Sequence, residues 1–188
     1  GAVLTNDSEL YHRIRLLCKH GIDRREDMFN KKERIGSWIY EMDSLGFNYR
    51  ITDFQAALGL SQLKKIDRIK VRRREIVNYY NNHLSELDEL ILPYEDERVD
   101  SNFHLYVLQV KNNPRFDRYD LFTYLQSMNY QPMVHYIPVH TQPYYQSLGF
   151  KQGTFPDAEE YYSQALSLPI YASLNLSDQD RVIQVLRN

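Results

Sequence analysis

From Thr52 to Leu87 the chain carries apolar residues at helical spacing, and no proline interrupts the run before Pro93. Phe54, Leu58, Ile66, Ile69, Ile76, Tyr80, Leu84 and Leu87 recur at steps of three, four, seven or eight. Thr52 suits an N-cap, Gln55 stands where it completes a capping box, and Asp53 suits the positive end of a helix dipole. The pattern predicts one long helix, or two helices meeting near Lys70. A run of that length suggests a connector between two lobes.

On the upstream side, residues 1–5 are short, apolar and β-branched and read as a strand. Asn6 begins a helix, with Glu9 in capping-box position and Leu10, Ile14 and Leu17 at helical spacing, that stops at Gly21. Residues 22–36 read as a charged surface loop. A strand and a helix cannot close a core alone, so this stretch reads as the end of something larger. On the downstream side, residues 101–110 read as a strand with Phe103, Leu105 and Val107 on one parity. Residues 117–129 read as an amphipathic helix with Leu121, Leu125 and Met128 inward. Residues 130–139 read as an edge strand broken by Pro132 and Pro138. Residues 154–168 read as a helix with Pro156 in its first turn. Ser177 caps a last helix, with Asp180 three residues on. The alternation predicts a small α+β lobe with helices against a sheet.

Composition narrows the function classes. Hydrophobic residues at 43% and charged residues at 26% are the balance of a soluble globular protein. No apolar run approaches the roughly 18–20 residues of a membrane span, and no signal-peptide pattern opens the chain. A net charge of −2 provides no global field toward nucleic acid or anionic lipid. The single cysteine, Cys18, sits on a helix with no base facing it and reads as structural. It fits a reducing, cytoplasmic setting. Sixteen tyrosines against seven glycines suit an interface or a pocket for a polar ligand, or simply tyrosine-rich packing.

Three constellations could carry chemistry. His135 and His140 flank Tyr136 in Val-His-Tyr-Ile-Pro-Val-His; they could bind phosphate or sugar hydroxyls, transfer a proton, or pack and bond to backbone. No cysteine pair or acidic partner stands at metal-ligand spacing beside them, so no metal is expected. Asn48-Tyr49-Arg50 precedes the Thr52 cap, either as an anion site at a helix N-terminus or as a turn with a surface arginine. Lys64, Lys65, Arg68, Lys70, Arg72, Arg73 and Arg74 form a basic stretch, interrupted by Asp67, that reads as a solvated helix face rather than a nucleic-acid site. No dinucleotide fingerprint, P-loop, nucleophile elbow or zincin motif occurs.

The run Leu45-Gly46-Phe47-Asn48-Tyr49-Arg50-Ile51-Thr52-Asp53-Phe54-Gln55-Ala56-Ala57-Leu58-Gly59 resembles the signature of the DegT/DnrJ/EryC1/StrS aminotransferases, which act on nucleotide-linked keto sugars. Residues 1–7, His20-Gly21, Ser101-Asn102-Phe103-His104-Leu105-Tyr106, Val134-His135-Tyr136-Ile137-Pro138 and Ser167-Leu168-Pro169 resemble further family segments, so the likeness spans the chain. Within the family, residues 59–65 and Val134-His135-Tyr136 look most like the enzymes of pseudaminic acid synthesis.

The resemblance implies an α/β chain that forms the C-terminal portion of the type I pyridoxal phosphate transferase fold. Residues 1–70 would finish the large cofactor domain and begin the connecting helix, and residues 71–188 would form the small α+β domain. It implies a cytoplasmic homodimer with sites at the subunit interface, a nucleotide-sugar substrate and an amino-acid donor, glutamate. Asn48 would reach the cofactor phosphate, and Arg50, His135, Tyr136 and His140 would meet the substrate. The cofactor-bearing lysine is expected upstream of Gly1. None of the eight lysines present lies in a matching motif, so the chain is expected to be inactive alone and not to hold pyridoxal phosphate covalently. Cys18 departs from the arginine of many relatives. The alternatives are a non-catalytic sugar-nucleotide-binding lobe, or a sugar dehydratase branch with histidine in place of the lysine.

Overall fold

The computed structural model describes residues 2–23, 38–111, 113–114 and 116–187. The chain divides into two compact units, Gly1–Lys64 and Lys65–Asn188.

The first unit opens on residues 2–5, which form no strand; no strand among the described residues pairs with them. Helix α1 (Ser8–Leu17) starts one residue later than the sequence suggests, because the Asp7 carboxylate, not Asn6, accepts from the N–H groups of Glu9 and Leu10. After Cys18 the backbone turns through two left-handed residues, His20 at φ 61° and Gly21 at φ 69°. Strand β1 (Ile22–Asp23) then pairs antiparallel with β2 (Glu41–Met42). The expected loop at 22–36 therefore begins as a strand, and its remainder, from residue 24, lies outside the described residues.

Two glycines make the next step possible. A Cβ on Gly21 would stand 1.6 Å from the Ser44 carbonyl oxygen, and one on Gly46 would stand 2.3 Å from the Gly21 nitrogen. This close approach lets the Phe47 N–H reach Leu17 O at 2.6 Å and the Tyr49 N–H reach Cys18 O at 3.0 Å. Asn48 is thereby laid against Lys19 as an antiparallel bridge. Helix α2 (Asp53–Leu63) follows with the expected capping box: Thr52 Oγ1 accepts from the Gln55 N–H, and Gln55 Oε1 accepts from the Thr52 N–H. No residue of α2 is buried, and Phe54 is 91% exposed. Among the described residues of this unit only Gly21 is buried. The described residues of this unit thus include no buried hydrophobic cluster.

The second unit is built on helix α3 (Ile66–Leu84). The break between the helices falls at Lys64–Lys65, not near Lys70 as the spacing suggested. Lys64 caps α2 and Lys65 stands at the N-cap of α3 without a side-chain cap. Ile76, Val77, Tyr80 and Leu84 form the buried stripe of α3. They face a three-stranded antiparallel sheet of β3 (Leu90–Ile91), β4 (Tyr106–Val110) and β5 (Ala165–Leu168), in the order β3-β4-β5.

Strand β4 buries Tyr106, Leu108 and Val110, the opposite parity to that read from sequence. It begins only at Tyr106, because Arg73 holds the carbonyls of Phe103 and His104 in irregular backbone ahead of it. Tyr106 lies inward because its hydroxyl finds Asn81 Oδ1 at 2.7 Å.

Helix α4 (Arg118–Ser127), capped by Asp117, buries Leu125 but leaves Met128, at its C-cap, 48% exposed. Residues 130–139 form no strand. The two prolines remove donors, and only Met133 bridges β5, at Ser167. A 3₁₀ turn (Val139–Thr141) and the short α5 (Pro143–Ser147) come next. Helix α6 (Pro156–Gln164) keeps its proline in the first turn but ends before residues 165–168, which β4 captures as β5. Helix α7 (Leu176–Arg187) is capped by Asn175, whose Oδ1 accepts from the Asp178 N–H, rather than by Ser177. Among the described residues no helix is long and apolar enough to cross a membrane.

Candidate functional site

In the first unit the Lys19–Asn48 bridge brings the end of α1 beside the Asn48-Tyr49-Arg50 segment. The Arg50 Nε–H donates to Asn48 Oδ1 at 3.2 Å, so the Asn48 amide nitrogen keeps its two donors for another partner. Arg50 lines a recess of about 630 Å³ together with His12, Arg15, Lys19, His20 and Asp23. Guanidinium, ammonium and imidazole donors around one concavity suit an anion with several oxygens, such as a phosphate. Arg15 and Lys19 were not singled out in the sequence. Their membership comes from the turn at His20-Gly21, which folds the end of α1 over Arg50.

In the second unit the segment 133–141 runs along the outer edge of β5 and is fixed at two points. At the first, the Ser167 N–H donates to Met133 O at 2.8 Å, and Ser167 Oγ lies 2.7 Å from His135 Nδ1. At the second, His140 Nε2 lies 2.7 Å from Glu159 Oε1, which also accepts the Gly153 N–H at 2.7 Å. The hydrogen bond from His140, opposed by desolvation and aided by the Gly153 N–H, holds the Glu159 carboxyl below its ordinary value. The His140 ring also meets the Phe155 ring edge-on at 4.9 Å. His140 is 7% exposed, His135 is half-buried and Tyr136, between them, is 72% exposed. The two histidines therefore differ: His140 is enclosed by α6 and its preceding loop, while His135 is half-buried beside the exposed Tyr136.

The basic stretch on α3 is largely engaged inside the second unit. Lys70 pairs with Asp100, Arg72 with Glu75 and the Leu174 carbonyl, and Arg73 with two backbone carbonyls. Arg74 forks onto Glu95 and also meets Asp100. Of the five residues expected at a site, Asn48 and Arg50 are brought together in the first unit, and His135, Tyr136 and His140 in the second. Ser167 and Glu159, which hold the two histidines, were not expected at a site. Ser167 appeared in the sequence only as part of a Ser-Leu-Pro motif.

Residues 1–187 match the DegT/DnrJ/EryC1/StrS aminotransferase family. The chain is 40% identical over 191 residues to the spore coat polysaccharide biosynthesis protein SpsC of Bacillus subtilis, with 100% of this chain and 49% of that protein covered. It is 31% identical over 178 residues to a UDP-4-amino-4,6-dideoxy-N-acetyl-beta-L-altrosamine transaminase of Campylobacter jejuni, with 95% of this chain and 44% of that protein covered. Among solved structures, PseC of Helicobacter pylori, an aminotransferase involved in the biosynthesis of pseudoaminic acid, superposes with a TM-score of 0.83 at 28% identity. That superposition covers 97% of this chain and 47% of PseC. The chain thus spans about half the length of the relatives it matches.

Proposed function

The chain belongs to the DegT/DnrJ/EryC1/StrS aminotransferase family, a pyridoxal phosphate-dependent family, and from that premise we propose that it forms the C-terminal portion of a nucleotide-sugar aminotransferase. The complete enzyme would move an amino group from glutamate to the C4 ketone of a UDP-linked 4-keto-6-deoxy-N-acetylhexosamine. The names of the Campylobacter and Helicobacter relatives, a UDP-4-amino sugar transaminase and a pseudoaminic acid enzyme, support this substrate class.

The observation that carries the reading is the pair of ligand-ready groups flanking two structural anchors. Arg50 lines a largely cationic recess and donates to the Asn48 side chain. His135, tethered through Nδ1, and the exposed Tyr136 lie on a segment that Ser167 and Glu159 fix. The donor set at the recess fits the dianionic phosphate of pyridoxal phosphate. When bound, that cofactor supplies the electron sink and the amine carrier of the exchange.

The chain's own groups do the rest by binding and orienting. The Asn48 amide and the Arg50 guanidinium hold phosphate oxygens. His135 contacts an oxygen of the sugar nucleotide through its free nitrogen, and the Tyr136 ring covers the sugar while its hydroxyl meets water or substrate. His140 supplies the fixed end of the segment that carries them. In this reading the cofactor-bearing lysine lies outside residues 1–188, so the 188-residue chain does not hold the cofactor covalently. The complete enzyme works as a dimer, with Asn48 reaching the partner's cofactor, in the cytoplasm.

The test is substitution in the complete enzyme. His135→Ala should raise KM for the nucleotide sugar by about tenfold, the worth of one hydrogen bond to a charged or strongly polar group. It should leave amino-group uptake from glutamate unchanged. Equal loss in both half-reactions would place His135 elsewhere than on the sugar nucleotide.

A further inference from the structure

Ser167 is 6% exposed within β5, and the position of its hydroxyl decides more than where His135 sits. Ser167 stands between two neighbours: β4 on one side, at Val107, and Met133 on the other. Its backbone N–H is taken by Met133 O. Among the described residues its hydroxyl meets one hydrogen-bonding partner, His135 Nδ1 at 2.7 Å.

A buried hydroxyl carries one proton that must be placed on an acceptor. If a neutral His135 carried its proton on Nδ1, that N–H would donate to Ser167 Oγ and the Ser167 proton would find no acceptor among the described residues. Placing that proton on a bare Nδ1 satisfies both groups. The imidazole proton then resides on Nε2, the nitrogen that points away from the Ser167 tether.

We propose that Ser167 is a positioning residue that fixes His135 in the Nε2–H form, so that His135 serves the nucleotide sugar as a hydrogen-bond donor. This rests on the reading of His135 as a sugar-nucleotide contact. It selects one among the roles open to a histidine at that place. A neutral imidazole with Nε2 protonated cannot abstract a proton through Nε2, so His135 does not act as the base of the exchange. It offers N–H to an acceptor oxygen of the substrate, whether carbonyl, hydroxyl or phosphate. His140 is held by the other nitrogen, Nε2, against a carboxylate. The two histidines of one segment are thereby assigned different work by their anchors.

Two measurements test this independently. The first is long-range proton–nitrogen correlation of the His135 ring in the labelled 188-residue chain, at a pH where the imidazole is neutral. The expected result is a proton on Nε2 and a bare Nδ1 whose resonance is displaced by an incoming hydrogen bond, with the displacement lost in Ser167→Ala. A proton on Nδ1 in the unsubstituted chain overturns the proposal, and that spectrum decides even if Ser167→Ala fails to fold. A displacement that persists in a folded Ser167→Ala overturns it as well.

The second is kinetic, in the complete aminotransferase. His135→Gln places an amide N–H near the position of Nε2, whereas His135→Asn places it near Nδ1. The glutamine variant should retain about tenfold more kcat/KM for the nucleotide sugar than the asparagine variant. Ser167→Ala should raise KM for the nucleotide sugar and leave the half-reaction with glutamate unchanged. Equal activity of the glutamine and asparagine variants overturns the donor role. If His135→Ala also leaves KM for the sugar nucleotide unchanged, the placement of His135 on that ligand fails, while the assignment of the proton stands or falls on the spectrum alone.

Discussion

His140 Nε2 meets Glu159 Oε1 at 2.7 Å, and the same carboxylate oxygen accepts the Gly153 N–H at the same distance. One side chain of α6 therefore closes the loop of residues 140–159 on itself. The segment bearing His135 and Tyr136 is held at its far end by this contact and at its near end by Ser167. Few backbone hydrogen bonds run along residues 133–141, so these side-chain contacts provide much of the order that a strand ladder would otherwise supply.

Glu159→Gln should make stability less dependent on acid. The Glu159 carboxyl is held below its ordinary value, chiefly by the His140 hydrogen bond. Its contribution is therefore present above the unfolded-state value and is lost as pH falls through the lower folded-state value. Thermal unfolding at neutral pH should show a lower Tm for the variant. The gap should narrow as pH falls through the acidic range in which the folded carboxyl protonates. A gap that widens with acid would contradict the assignment.

Asn48→Asp should weaken the hold on phosphate more than Asn48→Ala. The aspartate keeps the shape and keeps an acceptor for Arg50, but it replaces two amide donors with negative charge. Repulsion of an anion at the recess adds to the loss of the donor. In the complete enzyme the dissociation constant for pyridoxal phosphate should rise about tenfold for alanine and about a hundredfold for aspartate, one to two hydrogen-bond equivalents. Fluorescence titration of the cofactor reads both.

Gly21→Ala should open the first unit at the turn. The position has φ 69°, and its Cβ would fall on the Ser44 carbonyl. Backbone strain alone costs about 1–2 kcal/mol, and the clash forces the 44–49 segment away. Hydrogen exchange should accelerate at the amides of Phe47 and Tyr49, which bond to Leu17 and Cys18. Exchange in α3 and β4 should stay unchanged.

Tyr80→Phe should cost about 1 kcal/mol of stability in the second unit, the net worth of one hydrogen bond. The Tyr80 hydroxyl donates to Pro169 O at 3.1 Å, and its ring packs on Tyr106 at 4.9 Å. Burial raises the pKa of both phenols above the ordinary tyrosine value, so neither carries charge near neutrality. Leu166→Ala, which leaves a cavity in the same core, should cost about 2–5 kcal/mol. Denaturant unfolding that ranked the two in the reverse order would contradict the packing described.

The parts readable from sequence were those written in local chemistry. Thr52 and Gln55 signal a helix start through side chains three residues apart, and the capping box is present. The α3 stripe of Ile76, Tyr80 and Leu84 is periodic and buried. What escaped depended on distant partners. Residues 165–168 continue a helical pattern but are taken as a strand by β4. The parity of β4 was misread because the partner that draws Tyr106 inward, Asn81, lies 25 residues upstream. At the site, Asn48, Arg50 and His135 were visible as residue types in turns. Their holders were not, since Ser167 lies 32 residues from His135 and Glu159 lies 19 from His140.

The central claim is that these residues form part of a nucleotide-sugar aminotransferase whose cofactor-bearing lysine lies elsewhere. Its most direct test is amination of a UDP-4-keto-6-deoxy-N-acetylhexosamine, with pyridoxal phosphate and glutamate, by the 188-residue chain and by the full product of its gene. The full product should convert the C4 ketone to an amine while the 188-residue chain, purified free of longer forms, converts none. Turnover by the 188-residue chain alone, or no aminotransferase activity in the full product, would contradict the account.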